Sequence, residues 1–184
     1  MKYNYLLNNA TEEVQLEAVR NDGFSIKFII NPSEEVQLEA VERNGYSIQY
    51  INNPSEKVQL EAVNQTGLSI QYINNPSEKV QLKAVKRDGY SIRYINNPSK
   101  KVQLEAVKQS VHSIRYIINP SEKVQLQAVK QNILAVQYIK DMDNLLNKYY
   151  NYALYKYLED LYYPFTEEFK ESDNYKKYLL EKSI

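Results

Sequence analysis

The chain has 184 residues, with 23 basic and 23 acidic side chains and a net charge of zero, so its overall charge favours neither nucleic acid nor membrane. It has no cysteine, which excludes disulfide bonds, thiol catalysis and cysteine-ligated zinc and favours a cytoplasmic location. No stretch suits a signal peptide or approaches the ~20 apolar residues of a membrane span, so we expect neither.

A 22-residue word repeats along residues 9–140. Its V-Q-L segment begins six times at the same spacing, at Val14, Val36, Val58, Val80, Val102 and Val124. Such a period is typical of a solenoid, in which each unit buries its apolar face against its neighbours. We predict an array over residues 1–140, with copies near 9–30, 31–52, 53–74, 75–96, 97–118 and 119–140, and a separate segment over residues 141–184.

The second unit predicts a helix followed by a shorter helix. Asn31 suits an N-cap and Pro32 the first helical position, and Gly45 supplies a left-handed residue that ends the helix near Asn44. Residues 46–51 are interpreted as a helix of about two turns, and a strand in an α/β horseshoe is the alternative. The predicted fold class is therefore all-α, a solenoid of six helix–turn–short-helix repeats with a C-terminal helical cap.

Two columns of residues are predicted to be structural. Glutamine recurs in the apolar arc of the first helix, where we expect its amide to bond to backbone groups in the turns of the adjacent unit, at Gln37, Gln59, Gln81, Gln103 and Gln125. Glycine ends that helix at Gly45, Gly67 and Gly89, but Val111 and Ile133 take its place later. Because β-branched residues resist positive φ, we predict differently built turns and altered curvature near 110–113 and 132–135.

The neutral total conceals a strong charge asymmetry. Residues 1–78 hold 5 basic and 11 acidic side chains, residues 79–130 hold 11 and 3, and residues 131–184 hold 7 and 9. The lysines fall in columns on the face of the first helix opposite the glutamines, and with their neighbours they form a predicted basic ribbon of Lys79, Lys83, Lys86, Arg87, Lys101, Lys108, Lys123 and Lys130. The ribbon is either a solvated ridge or a surface for an acidic protein or a nucleic acid backbone.

The short second helices are expected to line a groove. Their variable exposed position holds Arg93 and Arg115, beside the recurring Tyr94 and Tyr116. Arginine next to tyrosine is typical of interface hot spots and of base-stacking surfaces. In the alternative interpretation these tyrosines are core residues with hydroxyl groups at the rim. The lone His112 occupies an aromatic packing position, and we expect it to be structural.

From Asp141 the period stops, and nine of the 18 tyrosines lie in the remaining quarter of the chain. We predict a helix starting at Asp141 or Asp143 that Pro164 breaks, followed by one or two further helices. This segment is interpreted as a cap over the last repeat, as an interface for a partner or a second copy, or as both. The candidate contact residues are Tyr149, Tyr152, Tyr155, Tyr162 and Tyr163.

The word Asn-Pro-Ser-Glu-(Glu/Lys)-Val-Gln-Leu-x-Ala-Val followed by Gly-Tyr-Ser-Ile-x-Tyr-Ile closely resembles a short repeat family of unknown function in bacterial, phage and large-virus proteins. The resemblance covers residues 9–140, where a dozen positions match in register. It implies an all-helical module, transfers no catalytic or ligand residues, and leaves the tail outside.

No catalytic, metal or cofactor site is predicted, because the chain has one histidine, no cysteine and no phosphate-binding glycine loop. We therefore expect a binding protein and no enzyme, with a protein partner as the first hypothesis and no membrane partner. The resemblance extends this hypothesis to a phage or mobile-element inhibitor of a host protein. The alternative hypothesis is a nucleic-acid-binding solenoid that uses the basic middle repeats.

Overall fold

The computed structural model describes residues 6–161 and 163–183, with only the backbone of Tyr152. Within these residues the chain is helical and contains no strand. The predicted all-α solenoid is thus confirmed, and the α/β horseshoe is wrong.

Each repeat contains one α-helix and one 3₁₀ helix. The α-helices are α1 (Glu12–Asn21), α2 (Glu34–Arg43), α3 (Glu56–Gln65), α4 (Glu78–Arg87), α5 (Lys100–Gln109) and α6 (Glu122–Gln131). The 3₁₀ helices are η1 (Gly23–Phe28), η2 (Gly45–Tyr50), η3 (Gly67–Tyr72), η4 (Gly89–Tyr94), η5 (Val111–Tyr116) and η6 (Ile133–Tyr138). The tail forms α7 (Met142–Lys148), α8 (Tyr152–Asp160), α9 (Glu167–Lys170) and α10 (Asp173–Lys182).

The array is a two-layer stack. Each α-helix packs on the α-helix of the next unit, and each 3₁₀ helix packs on the next 3₁₀ helix. Between the layers lies one continuous core, to which the second unit contributes Val36, Ala40, Val41 and Ile48, all at most 1 % exposed. A single unit cannot cover its own apolar residues, so their burial depends on the neighbouring units.

The turn between units differs from its prediction. Ser33, and not Asn31, caps α2, because the Ser33 hydroxyl accepts a hydrogen bond from the Val36 amide. Asn31 instead has φ of 54°, and Asn53, Asn75, Asn97 and Asn119 adopt the same left-handed conformation. Asparagine tolerates this region better than other residues with side chains, which explains why it precedes each proline.

The glycines serve a different purpose from the predicted one. None of the described glycines has positive φ. Gly45 is required because a Cβ there would lie 2.5 Å from the carbonyl oxygen of Ala62 in the next unit. Gly67 and Gly89 meet the carbonyls of Ala84 and Ala106 in the same way. These glycines allow close approach between units rather than a left-handed turn.

The prediction of rebuilt turns at Val111 and Ile133 is therefore wrong. The residue before η5, Ser110, has φ of −147°, close to the −154° of Asn44 before η2. The packing between units changes instead. Helix α6 lies less closely against η5, the 3₁₀ helix of the preceding unit, than α2–α5 lie against η1–η4. In addition, Ala135 replaces the buried serine that faces glycine in earlier units, which removes an oxygen from beside Val111.

The glutamines also bond differently from the prediction. The Gln37 amide donates to the carbonyl of Pro32, 2.9 Å away in its own unit. Gln59, Gln81, Gln103 and Gln125 repeat this bond to the proline five residues earlier. Each glutamine thus fixes the entry to its own helix, and it does not link units.

A ladder of serine–glutamate hydrogen bonds links the units instead. The capping serine of one unit donates to the first glutamate of the preceding α-helix in four pairs, Ser33–Glu12, Ser55–Glu34, Ser77–Glu56 and Ser99–Glu78. In the fifth unit Lys100 replaces this glutamate. The ladder was not predicted, although serine and glutamate recur in register 21 residues apart.

The tail covers the end of the array with a second core. Helices α7–α10 pack around Leu146, Leu154, Tyr155, Phe169 and Tyr178, each at most 1 % exposed. The same cluster includes Val129 and Val136 of the last repeat. The last unit therefore buries its open face against the tail, as an array end requires.

Candidate interaction surfaces

The eight residues of the predicted basic ribbon all lie exposed on the outer face of the α layer. Positions such as Lys79 and Lys86 point away from the core because Val80, Ala84 and Val85 occupy the opposite side of α4. The Lys79 side chain is 69 % exposed. The structure therefore brings these side chains together on one surface.

This outer face, defined as the exposed side of α1–α6, is divided by charge. Helices α1–α3 carry nine acidic and three basic residues, and α4–α6 carry three acidic and nine basic residues. The sign changes between α3 and α4. Since the layer is a single surface, a partner that covers it meets an acidic half followed by a basic half.

Few charges of the outer face are paired within the chain. Lys79 Nζ lies 3.6 Å from Glu56 Oε2, and Arg20 Nε lies 3.2 Å from Glu39 Oε2. The hydrogen bond from the Ser77 hydroxyl lowers the pKa of Glu56, and the charge of Lys79 lowers it further. With the residues that the structure describes, Lys83, Lys86, Lys101 and Lys108 form no ion pair. Their charges remain available to another molecule.

A shallow open depression of about 670 Å³ lies on the outer face where the sign changes. Its floor contains half-buried Leu60 of α3 and Leu82 of α4. Its rim contains Glu61 and the lysines of three successive helices, Lys57, Lys79, Lys83, Lys86 and Lys101. It offers a small apolar surface surrounded by charge, as at the centre of many protein interfaces.

The predicted arginine–tyrosine group lies on the other layer. The Arg93 guanidinium carbon lies 4.5 Å from the Tyr94 ring centroid, and that of Arg115 lies 5.1 Å from the Tyr116 centroid. Arg93 also donates a hydrogen bond to the Tyr94 hydroxyl, which raises the arginine's pKa. Both arginines are exposed and both tyrosines half-buried, so each arginine lies beside its tyrosine at the surface, and the role of this group in binding stays a prediction.

Tyr116 and its equivalent Tyr72 also join neighbouring units. The Tyr116 ring meets the edge of Tyr90 in the preceding unit at a centroid distance of 6.0 Å, and Tyr72 meets Tyr46 at 6.2 Å. They therefore pack between units while part of each ring stays at the surface. His112 occupies the equivalent of Tyr90 and is exposed, which differs from the packed position expected for it.

In the tail the candidate tyrosines have different environments. Tyr155 is fully buried and donates to the Leu146 carbonyl at 3.1 Å, so its prediction as a surface contact is wrong. Tyr149 is half-buried beneath Lys130 Nζ, 4.9 Å from its ring centroid. Tyr163 is half-buried, and burial raises its pKa to about 12. Tyr162 and the Tyr152 side chain lie outside the described residues.

The reason for the error at Tyr155 is its surroundings. Its ring centroid lies 5.3 Å from that of Tyr178 and 5.8 Å from that of Phe169, and both rings come from later helices. Desolvation is the main cause of its raised pKa. Among the described residues of the tail, the large exposed apolar side chains are leucines, at Leu161, Leu179 and Leu180.

No protein-family model, curated protein or solved structure matches the chain. The surfaces described above are therefore the basis for assigning a function. In the described part of the chain, no helix is long and apolar enough to cross a membrane. The same residues contain no group of three or more histidine, aspartate or glutamate side chains that could hold a metal ion.

Proposed function

We propose that this chain is a non-catalytic binding protein whose outer face engages a protein partner. The observation that carries the proposal is the division of that face into an acidic half and a basic half. The core positions barely change between units, whereas the charges change sign at one boundary. A protein can present both signs in a matching pattern, and complementary charge confers orientation and specificity on such contacts.

The displaced pKa values support a binding role over catalysis. The pKa of Glu56 is lowered by Ser77 in the inter-unit ladder, and that of Glu159 by Lys182 and Tyr178 in the tail. Burial raises the pKa of Tyr155 inside the tail core. Each of these three shifts belongs to a contact between helices, whereas catalytic groups with shifted pKa values converge on a cleft.

The finer proposal is an inhibitor, encoded by a phage or mobile element, that acts in the cytoplasm on a host protein. It is supported by the resemblance of the repeat word to bacterial, phage and large-virus proteins and by the absence of cysteine. The basic half of the outer face would then occupy an acidic surface of the host protein, with the acidic half fixing the orientation.

A nucleic-acid-binding solenoid is the second candidate, favoured by the unpaired lysines of α4 and α5. Two observations weigh against it. The acidic residues of α1–α3 repel a phosphate backbone along half of the surface. In addition, Arg93 and Arg115 lie in the 3₁₀ layer, so the arginine–tyrosine group, which could stack on bases, lies in a different layer from the lysines.

Affinity capture from a host lysate, with and without nuclease, tests the proposal. The informative variant is Lys83→Glu/Lys86→Glu/Lys101→Glu on the outer face. Its matched control is Arg93→Gln/Arg115→Gln, which places in η4 and η5 the residue that η2 and η3 carry. We expect a nuclease-resistant protein that the lysine variant loses and the arginine control retains.

A direct titration separates the two candidates. Nucleic acid binding would weaken linearly in a log–log plot against salt, with a slope set by the number of phosphates neutralised. We expect no tight binding to DNA or RNA at low salt. Steep salt-dependent binding, together with loss of all captured protein after nuclease, would replace the first candidate by the second.

A further inference from the structure

We infer that the outer face also binds a second copy of this chain, face to face and with its array running in the opposite direction, in competition with any host protein. The inference rests on the proposed protein-binding function of this face and names a further occupant. It follows from the charge pattern, because the two halves of the outer face have opposite compositions. Helices α1–α3 carry nine acidic and three basic residues, and α4–α6 carry three acidic and nine basic residues.

A two-fold axis parallel to the helices, between α3 and α4, makes the face self-complementary. Rotation about this axis places α1 opposite α6, α2 opposite α5 and α3 opposite α4 of the other copy. Every acidic helix then faces a basic helix, and every contact occurs twice. An axis along the array would instead place each helix opposite itself and bring like charges together.

The strongest contact in this arrangement joins α2 to α5. Rotation about an axis parallel to the helices preserves their direction, so Glu35 faces Lys101 and Glu42 faces Lys108. One pair of like charges, Glu39 and Glu105, lies between them. The attraction therefore comes from the net charge of each half and from these outer pairs.

The centre of the interface is also suited to contact. The depression between α3 and α4 lies at the axis, where half-buried Leu60 and Leu82 of one copy meet those of the other. Glu61 and Lys83 lie on its rim and oppose one another across the axis. Like-charged Lys57 and Lys79 also meet there, but Lys79 is already paired with Glu56.

Sedimentation of the purified full chain tests the inference. At about 50 mM salt we expect a dimer, and raising the salt to about 500 mM should weaken it about 10-fold or more, because exposed charges are screened. A chain that stays monomeric at low salt overturns the inference. If the same preparation still captures a nuclease-resistant host protein, the proposed function stands without it.

Charge reversal provides the decisive experiment. One variant, Lys83→Glu/Lys101→Glu/Lys108→Glu, leaves α4–α6 with no net charge and the whole face net acidic. The other, Glu35→Lys/Glu42→Lys/Glu61→Lys, leaves α1–α3 with no net charge and the whole face net basic. Each variant alone should dimerise at least about 100-fold more weakly, since six attractive contacts become repulsive. Mixed in equal amounts, they should form a heterodimer within about 10-fold of the original affinity, which also proves that both are folded.

Further outcomes of these experiments also support or overturn the proposed dimer. A chain carrying all six substitutions has the two charges exchanged within each of these contact pairs and should again dimerise with itself. Dimerisation that survives either single set would place the contact elsewhere, with exposed Leu179 and Leu180 of the tail as the surface to examine, and would overturn the inference. Failure of the mixed variants to associate, while each keeps its helical circular dichroism, would overturn it as well.

The absence of cysteine allows the direction of the arrays to be measured. A Glu35→Cys chain mixed with a Lys101→Cys chain should form an intermolecular disulfide, and neither chain should do so alone. Self-linking of the Glu35→Cys chain would show helices opposite their own copies and overturn the proposed axis.

Discussion

The array and the tail solve the same packing problem with different side chains. The array core repeats small aliphatic residues such as Val80, Ala84 and Ile92, whereas the tail core contains Tyr155 and Phe169 in contact with other rings. A repeated unit must fit its own copy on both sides, which restricts every copy to the same small residues. The tail fits only one surface, and large aromatic residues can therefore fill it.

The two cores meet in the last repeat. Val124, Ala128 and Ala135 belong to the array core, but Val129 and Val136 belong to the tail core. Each unit otherwise contacts only its neighbours, so damage to the tail core should spread no further than this repeat. Four substitutions test this difference.

The largest effect is expected from Tyr155→Ala. Removal of a fully buried aromatic side chain should destabilise the tail by about 4 kcal/mol. Hydrogen exchange should show lost protection across residues 142–182 and retained protection in α1–α5. As a control, Tyr50→Ala should cost about 1 kcal/mol or less, because Tyr50 is 43 % exposed. Loss of protection throughout the array would contradict independent cores.

Gly89→Val should have the next largest effect, about 2–3 kcal/mol by chemical denaturation. A Cβ at Gly89 would lie 2.7 Å from the Ala106 carbonyl oxygen and 2.8 Å from Ser113 Oγ. The added Ser113→Ala substitution should recover about 1 kcal/mol, because it reproduces the Val111–Ala135 combination. A Gly89→Val chain as stable as the original would show that close approach does not require glycine here.

Glu159→Gln tests an ion pair that joins α8 to α10. Glu159 accepts from Tyr178 at 2.6 Å and from Lys182 at 2.7 Å, and these bonds lower its pKa. Its stabilising contribution is therefore complete above the unfolded pKa of about 4.3 and is lost as pH falls through the folded pKa. The substitution should cost about 1 kcal/mol at neutral pH, since the side chain is 36 % exposed.

Thermal denaturation at several pH values measures this contribution. The difference between the original chain and Glu159→Gln should shrink as the solution is acidified below about pH 4. A difference that is constant with pH would assign the effect to side-chain shape instead of charge.

Lys100→Glu should have the smallest effect, a gain of about 0.5 kcal/mol in the free energy of unfolding. It restores the acceptor that the serine–glutamate ladder lacks opposite Ser121. The neighbouring Lys101→Glu makes the same charge change without reaching Ser121 and is the matched control. Equal responses of the two variants would attribute the gain to general electrostatics.

The period and the apolar spacing were sufficient to predict a stack of paired helices. Both depend on the local pattern, and Val36, Ala40 and Val41 are buried as that pattern requires. The same periodicity placed the lysines on one exposed face. It also placed Arg93 in the shorter second helix, apart from the lysines of the first helix, and the structure has these residues in different layers.

The errors concern residues with more than one physical use. Glycine permits either positive φ or close approach, and Gly45 uses the second. A signal was present, since Val111 occupies the equivalent position and resists positive φ, while asparagine is kept at Asn31 and its copies. Tyr155 carried no comparable signal, because the rings that bury it come from helices whose packing the sequence does not specify.

The ladder has a consequence for how such a gene can change. Its bonds join equivalent residues in successive repeats. Recombination that removes or duplicates one whole repeat therefore leaves new neighbours that can form the same serine–glutamate bond. An unequal exchange of this kind would lengthen or shorten the protein without refolding it. It would, however, leave unequal numbers of acidic and basic words, and the altered product could no longer pair fully with its ancestor.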